Sequence, residues 1–226
     1  MTGLRQLQRQ RVREAISAAA VALFLRRGFD EVPVTEIAAA AGVSKPTLFK
    51  YFPAKEDLVL HRIADHEGEA ARVVRGRPAG QAPLEALRRH FLDGLARRDP
   101  VTGLNDHPEV VAFHRMVFST PSLQARLFQQ LSRDEQALAA ALREPAGEGG
   151  AGQGRAGQGG TGQGGAGEGL DELGAALLAA QVLAAQRVLA RRNWQLLSEG
   201  RPLSQVEPEA IKAANRAFTS LGTLTH

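Results

Sequence analysis

Lys45, Thr47, Lys50, Tyr51 and Lys55 place five hydrogen-bond donors or cations within eleven positions, interleaved with Pro46 and Phe49 and preceded by Ser44. The chemistry open to such a set is recognition of a polyanion. Ammonium and hydroxyl groups bind phosphate oxygens, and a lysine can also donate to guanine O6 and N7. Bond-breaking chemistry is poorly supplied. The chain has no cysteine, which removes a thiol nucleophile, a thiolate zinc site and a disulfide framework. It also contains no G-x-S-x-G elbow. His61 and Asp65 stand four apart, a spacing at which a metal can be held, with His107 and His114 farther on. No second ligand pair lies near them, and surface His and Asp on one helix are common. No catalytic residue, metal or cofactor is expected.

Donors read a polyanion only when an element presents them together. Val12, Ile16, Ala19 and Leu23 recur at helical spacing and predict a first helix over Arg9–Arg27, with Gly28 as its stop. Glu36–Ala41 predicts a second, short helix and Ser44–Phe52 a third. Gly42 lets the chain reverse between them without a Cβ clash, and the small Ala38 and Ala41 allow a close crossing. Ser44 is a plausible N-cap, and Pro46 falls in the first turn, where its missing N–H costs little. A short helix, a tight turn and a donor-rich helix make a helix-turn-helix, whose second helix enters a DNA major groove. Leu48 and Phe52 supply its inward contacts. Lys55 then opens a fourth helix expected to run to about Arg75.

The stretch "FLRRGFDEVPVTEIAAAAGVSKPTLFKYFPAKEDLVL" resembles the DNA-binding domain of TetR-like transcriptional regulators. The likeness lies in the first helix's ending F-x-x-x-G-F, the turn IA-x-x-A-GVS, and TLFKYFPAKEDL leading into the fourth helix. It covers roughly residues 11–60. The resemblance implies a homodimeric regulator, a repressor in type, that binds a palindromic double-stranded DNA operator and is released by a small-molecule effector. Operator contacts would fall on Lys45, Pro46, Thr47, Phe49, Lys50, Tyr51 and Lys55, with Ser44 at the helix start and Thr35 in the second helix. Two positions depart from the family pattern. Pro33 stands where a threonine usually caps the second helix, and Phe49 lacks the hydroxyl of the more common tyrosine.

Charge agrees with this placement. The chain carries +4 overall, yet residues 1–55 hold nine Lys/Arg against four Asp/Glu. The remainder is close to neutral, so the basic excess sits with the motif. A solvated basic face is the plain alternative reading of charge alone. Hydrophobic residues make up 43% and aromatics only 5%, a mixture rich in Ala, Leu and Val that suits helices over sheets. The expected fold is all-α: a three-helix N-terminal domain over 1–55, then a larger helical ligand-binding and dimerisation domain over 56–226.

Within the second part, helices are expected over Leu84–Arg98, Glu109–Ser119, Ser122–Arg143, Leu170–Leu197 and Pro208 to about Leu221. The Gly-rich run 145–169, with its approximate G-x-G-Q repeat, buries too little to offset chain entropy and reads as a disordered insert. No strand precedes it, which argues against a phosphate-cradling loop. Gly174–Ala190 is apolar but interrupted by Gln181, Gln186 and Arg187, so no membrane span is expected and the protein reads as cytoplasmic. Leu173, Leu177, Ala184 and Val188 form one stripe of this helix, and Leu178, Val182, Ala185 and Leu189 its neighbour. Two apolar stripes suggest that the last two helices form a homodimer interface, the plain alternative being an intrachain core.

Phe91, Phe113, Met116, Phe118, Gln181 and Arg187 are the candidates for effector binding, with Val117, Leu127, His90 and Arg115 as further lining; ordinary core is the competing reading for each. "HRMVFSTPSLQARLFQQLSRDEQALAAAL" is similar to a subgroup of TetR-like regulators with acyl-coenzyme-A-like ligands. An effector-independent DNA-binding regulator and a helical enzyme are the alternatives.

Overall fold

The computed structural model describes residues 2–144 and 170–223. The Gly-rich run 145–169, expected to be a disordered insert, lies outside the described residues. Among the described residues all regular structure is helical, as the composition predicts. The helices are α1 (Thr2–Arg27), α2 (Val34–Ala40), α3 (Lys45–Tyr51), α4 (Lys55–Leu60), α5 (Glu69–Arg75), α6 (Pro83–Ala96), α7 (Pro108–Ser119), α8 (Pro121–Arg143), α9 (Glu172–Ser198) and α10 (Leu203–Thr223). Short 3₁₀ segments cover His61–His66 and Pro100–Thr102.

Two compact units divide the chain. The first comprises residues 1–67 and 106–130, the second residues 68–105 and 131–226. This differs from the expected cut after residue 55. Leu58 and Val59 are fully buried in the apolar core that also contains Ile16, Phe24, Ile37, Leu48 and Phe52. Met116, Val117 and Leu123 complete that core from α7 and α8. A three-helix head has little area to bury by itself, and these later segments enlarge its core. One polar pair is sealed within the unit: Ser17, 1% exposed, donates its hydroxyl to the Leu58 carbonyl at 2.7 Å.

The fourth helix does not run unbroken to Arg75. It ends at Leu60, passes through the 3₁₀ segment and restarts at Glu69. Gly68 adopts φ +64°, and its N–H donates to Asp134 Oδ1 at 2.8 Å. A residue in the left-handed region cannot continue an α-helix, so the break is built by Gly68 and held by Asp134. The last helix likewise departs from expectation. It begins at Leu203 and carries Pro208 inside it. As the sixth residue of the helix it lies past the first turn, and its ring removes the N–H that would otherwise reach back to the Ser204 carbonyl.

The second unit packs α5, α6, α8, α9 and α10 around Val74, Leu87, Phe91, Leu95, Leu138, Val182, Ala214 and Phe218. The two stripes of α9 separate here. Leu178, Val182 and Leu189 are buried, whereas Leu173, Leu177 and Val188 are 67%, 54% and 62% exposed. By length and composition alone α9 is apolar enough to cross a membrane, which corrects the reading that its polar interruptions exclude a span. Its buried stripe is nevertheless committed to the unit's own core.

Where the turn after α6 meets α9, the backbones approach closely. Asn193, 1% exposed, donates from Nδ2 to the Thr102 carbonyl at 3.0 Å. Gly103 beside it has φ +71°, and a Cβ placed there would lie 1.9 Å from the Ala190 carbonyl oxygen. Replacing Gly103 by alanine therefore combines a disfavoured φ with a backbone clash. Gly103→Ala is expected to destabilise the protein by about 3 kcal/mol or more. Gly80→Ala, at φ +81° with nothing within 4 Å, should cost only about 1 kcal/mol. Urea midpoints at constant m-value compare the two. Equal, small losses would mean that the turn moves off α9 without cost.

Candidate nucleic-acid interface

The turn between α2 and α3 is closed by backbone hydrogen bonds. Val43 N–H reaches Ala38 O at 2.9 Å, Gly42 N–H reaches Ala39 O at 3.1 Å, and Gly42 sits at φ +66°. This is a left-handed helix stop of the kind that favours glycine. Ser44 then starts α3. Its Oγ accepts from Thr47 N–H at 3.2 Å and shares a 2.8 Å hydrogen bond with Thr47 Oγ1. Pro46 lies in the first turn, as expected. Leu48 and Phe52 are buried and fasten the helix to the unit's core.

With Leu48 turned inward, the opposite face of α3 presents Lys45, Pro46, Phe49 and Lys50, all exposed. At 100° per residue these four span roughly 140° of the helix surface. Lys45 Nζ lies 6.0 Å from the Phe49 ring centroid, and Phe49 remains 40% exposed. Thr47 and Tyr51 are half-buried and lie off this face, with Tyr51 packed toward the unit's core. From residue 37 to residue 55 the sequence contains no Asp or Glu. The face thus combines two cations with two apolar side chains and has no local carboxylate to neutralise it.

Thr35 is exposed on α2. Pro33 occupies the N-cap of α2 and provides no side-chain cap, as its chemistry requires. That end of the head is instead tied by Arg27, whose Nη1 reaches Glu36 Oε1 at 2.6 Å. Lys55 stands apart from the other cations. Its Nζ lies 4.6 Å from the Phe29 centroid and 5.4 Å from that of Phe24. Two rings hold the half-buried stem and fix the ammonium beside the start of α4.

That start depends on two residues which the motif reading passed over. Asp57 Oδ2 accepts from Ala54 N–H at 3.1 Å, while Asp57 N–H returns to Ala54 O at 3.2 Å. Arg126 of α8 donates from Nε to Asp57 Oδ1 at 2.9 Å. A carboxylate at the third position of a helix is a readable capping signal. Its arginine, 69 positions away, has no local signal.

The candidates for effector binding fall in both units. Phe113, Met116 and Phe118 belong to the first unit's core or its margin. Phe91 belongs to the second unit's core, where Gln181 is half-buried and Arg187 exposed. Of the further candidates, His90 pairs with Glu69 at 3.1 Å and Arg115 is exposed. His114 stacks on Phe118 with centroids 5.8 Å apart, and burial lowers its pKa to about 4. Burial, then the charge of Arg13, also lowers the pKa of His61. Both imidazoles are therefore favoured in the neutral form. Among the described residues no group of three or more His, Asp or Glu is placed to hold a metal ion.

Residues 16–61 match a family model described as bacterial regulatory proteins, tetR family. The chain is 32% identical over 146 residues to the HTH-type transcriptional regulator TcmR of Streptomyces glaucescens, covering 64% of this chain and 65% of that protein. It is 28% identical over 113 residues to the mycofactocin biosynthesis transcriptional regulator MftR of Mycobacterium tuberculosis, covering 49% and 53%. The chain thus spans less than two thirds of the length of these curated relatives. Among solved structures, GusR of Salmonella enterica superposes with a TM-score of 0.53 at 17% identity, covering 94% of each chain. NalD of Pseudomonas aeruginosa superposes with a TM-score of 0.50 at 16% identity, covering 92% of this chain and 95% of that one. These two likenesses concern the fold.

Proposed function

We propose that the chain is a member of the TetR family of bacterial regulatory proteins, supported by the match over residues 16–61 and the likeness to TcmR, and that it is a cytoplasmic transcriptional repressor that binds a palindromic DNA operator as a homodimer. The observation that carries this reading is the outward face of α3. Lys45, Pro46, Phe49 and Lys50 are exposed together on a helix fixed by buried Leu48 and capped by Ser44. A major groove accepts such a helix, offers guanine acceptors and thymine methyl groups to its side chains, and lines its rims with phosphates. Lys45 reads a base, Pro46 and Phe49 contact thymine methyls, and Thr35, Thr47, Lys50, Tyr51 and Lys55 position the backbone. On a duplex selected from a random pool, Lys45→Ala should relax preference at one base pair by about 1–3 kcal/mol. Lys50→Ala should weaken all duplexes alike and lower the salt slope by about one unit. A selected duplex bound by both variants with wild-type preference and slope would remove α3 from the groove.

The homodimer is the second part of the reading. Leu173, Leu177 and Val188 form an exposed apolar stripe on α9, and Ile211 is 38% exposed on α10. Paired about a two-fold axis, the two helices would form a four-helix interface. Two reading heads then meet successive major grooves when their recognition helices stand about 34–36 Å apart, or a multiple of that. Sedimentation should show a dimer at micromolar concentration, and Leu177→Glu should shift it to monomer. A wild-type monomer at that concentration would end this part.

A small, apolar or acyl-type effector that releases the operator is the third part. Phe91, Gln181 and Arg187 are the residues of the second unit assigned to it. Binding coupled to release must be reciprocal. With a long-chain acyl-coenzyme A as probe, operator DNA should raise the probe's Kd by the factor by which the probe raises the operator's. The alternative is an effector-independent regulator. Identical probe affinity with and without operator would decide for it.

A further inference from the structure

We infer that Arg126, outside the family-matched segment, is a positioning residue for operator binding, because its guanidinium orients and neutralises Asp57 at the junction between recognition helix and α4. This rests on the DNA-binding reading above. The junction consists of Phe52, Pro53 and Ala54, between the end of α3 and the start of α4. Two reciprocal hydrogen bonds close it: Ala54 N–H to Asp57 Oδ2 at 3.1 Å and Asp57 N–H to Ala54 O at 3.2 Å. The carboxylate has a second oxygen, and Arg126 Nε takes it at 2.9 Å. Arg126 Nη1 is itself held by Gln129 Oε1 at 3.0 Å, one turn along the same helix. The guanidinium is thereby oriented from its own helix before it reaches Asp57.

Two consequences follow. The first is geometric. Lys50 and Tyr51 lie just before the junction and Lys55 just after it, so the angle between α3 and α4 sets the distances among these donors. Productive contacts with a rigid duplex tolerate displacements of about half an ångström. An Asp57 side chain held at both oxygens fixes that angle more tightly than one held at a single oxygen. The second is electrostatic. Asp57 is two residues from Lys55, and its side chain is only 18% exposed. An unpaired carboxylate there would repel an approaching phosphate. A charge-assisted pair with arginine, directed through a fixed nitrogen, removes much of that field.

The test uses the full-length protein, the duplex selected by the wild type from a random pool, and a scrambled duplex of equal length. Arg126→Met keeps the side chain's bulk and removes its charge. It should weaken the selected duplex about tenfold, lower the ratio of selected to scrambled affinity, and leave the circular-dichroism melt above the assay temperature. Arg126→Lys should recover part of the loss by restoring charge without the guanidinium geometry. Asp57→Asn with Arg126→Met should bind no more weakly than Asp57→Asn alone, since the two changes break one link. A role in folding alone would lower both affinities together with the folded fraction and leave their ratio unchanged; that outcome overturns the inference. Wild-type affinity ratios in Arg126→Met also overturn it. If Arg126→Met melts below the assay temperature, Arg126→Lys decides, and an unchanged ratio there rejects the inference. A wild-type protein that selects no duplex would count against the DNA-binding reading, a result separate from any difference between the variants.

Discussion

A helix of seven residues does not hold its shape alone in water. Nucleation of the first turn costs more than a handful of hydrogen bonds returns, and isolated helices below about a dozen residues are marginal. α3 is such a helix, and it carries the exposed face of Lys45, Pro46, Phe49 and Lys50. The first unit is organised around this deficit. Leu48 and Phe52 anchor α3 in the core, Ser44 satisfies an N-terminal donor, and Gly42 sets its entry angle. Because the anchoring residues use one side of the helix, the outward side is free to be chosen for chemistry.

That freedom explains the composition of the outward face. An exposed phenylalanine contributes nothing to the core of its own unit, and a lysine beside it is equally dispensable there. Their pairing at 6.0 Å, in a stretch free of carboxylates, has its natural partner in a surface that is both anionic and methyl-bearing. The major groove is such a surface. Lys55 shows the opposite arrangement. Its ammonium is held by Phe24 and Phe29, so the same residue contributes to the core's rim and to the local positive field. Lys45 and Lys50, exposed on α3, carry charge without any such commitment to the core.

The head was legible in the sequence because its signals are local. Gly42 at a left-handed turn, Ser44 as a cap, Pro46 in a first turn and Leu48 facing inward each follow from neighbours within four positions. The failures have one physical cause, which is that the deciding partner is distant. The break at Gly68 is held by Asp134, and nothing around Gly68 distinguishes a helix stop from a tolerated glycine. The packing of Met116, Val117 and Leu123 with the N-terminal helices is a choice between cores that helical periodicity cannot make. It is also why Phe113, Met116 and Phe118 pack with the first unit's core while Phe91 packs with the second's. Arg126 was invisible for the same reason, although Asp57, its local half, was readable as a cap.

The helix α9 shows how one sequence can carry two commitments. Two adjacent stripes on one helix are too wide for a single packing partner. The Leu178–Val182–Leu189 stripe lies within its own unit's core, and the Leu173–Leu177–Val188 stripe is exposed. Composition could not assign the stripes, because each contains leucine, valine and alanine in similar proportion. Close approach could. At Ala190 the backbone of α9 meets Gly103, and three positions on, Asn193 bonds to Thr102. These contacts fix the rotation of α9 about its axis. Once that rotation is set by a glycine and a buried amide, the outward stripe is determined with it. A second copy of the chain would then meet a surface whose orientation was decided inside the first.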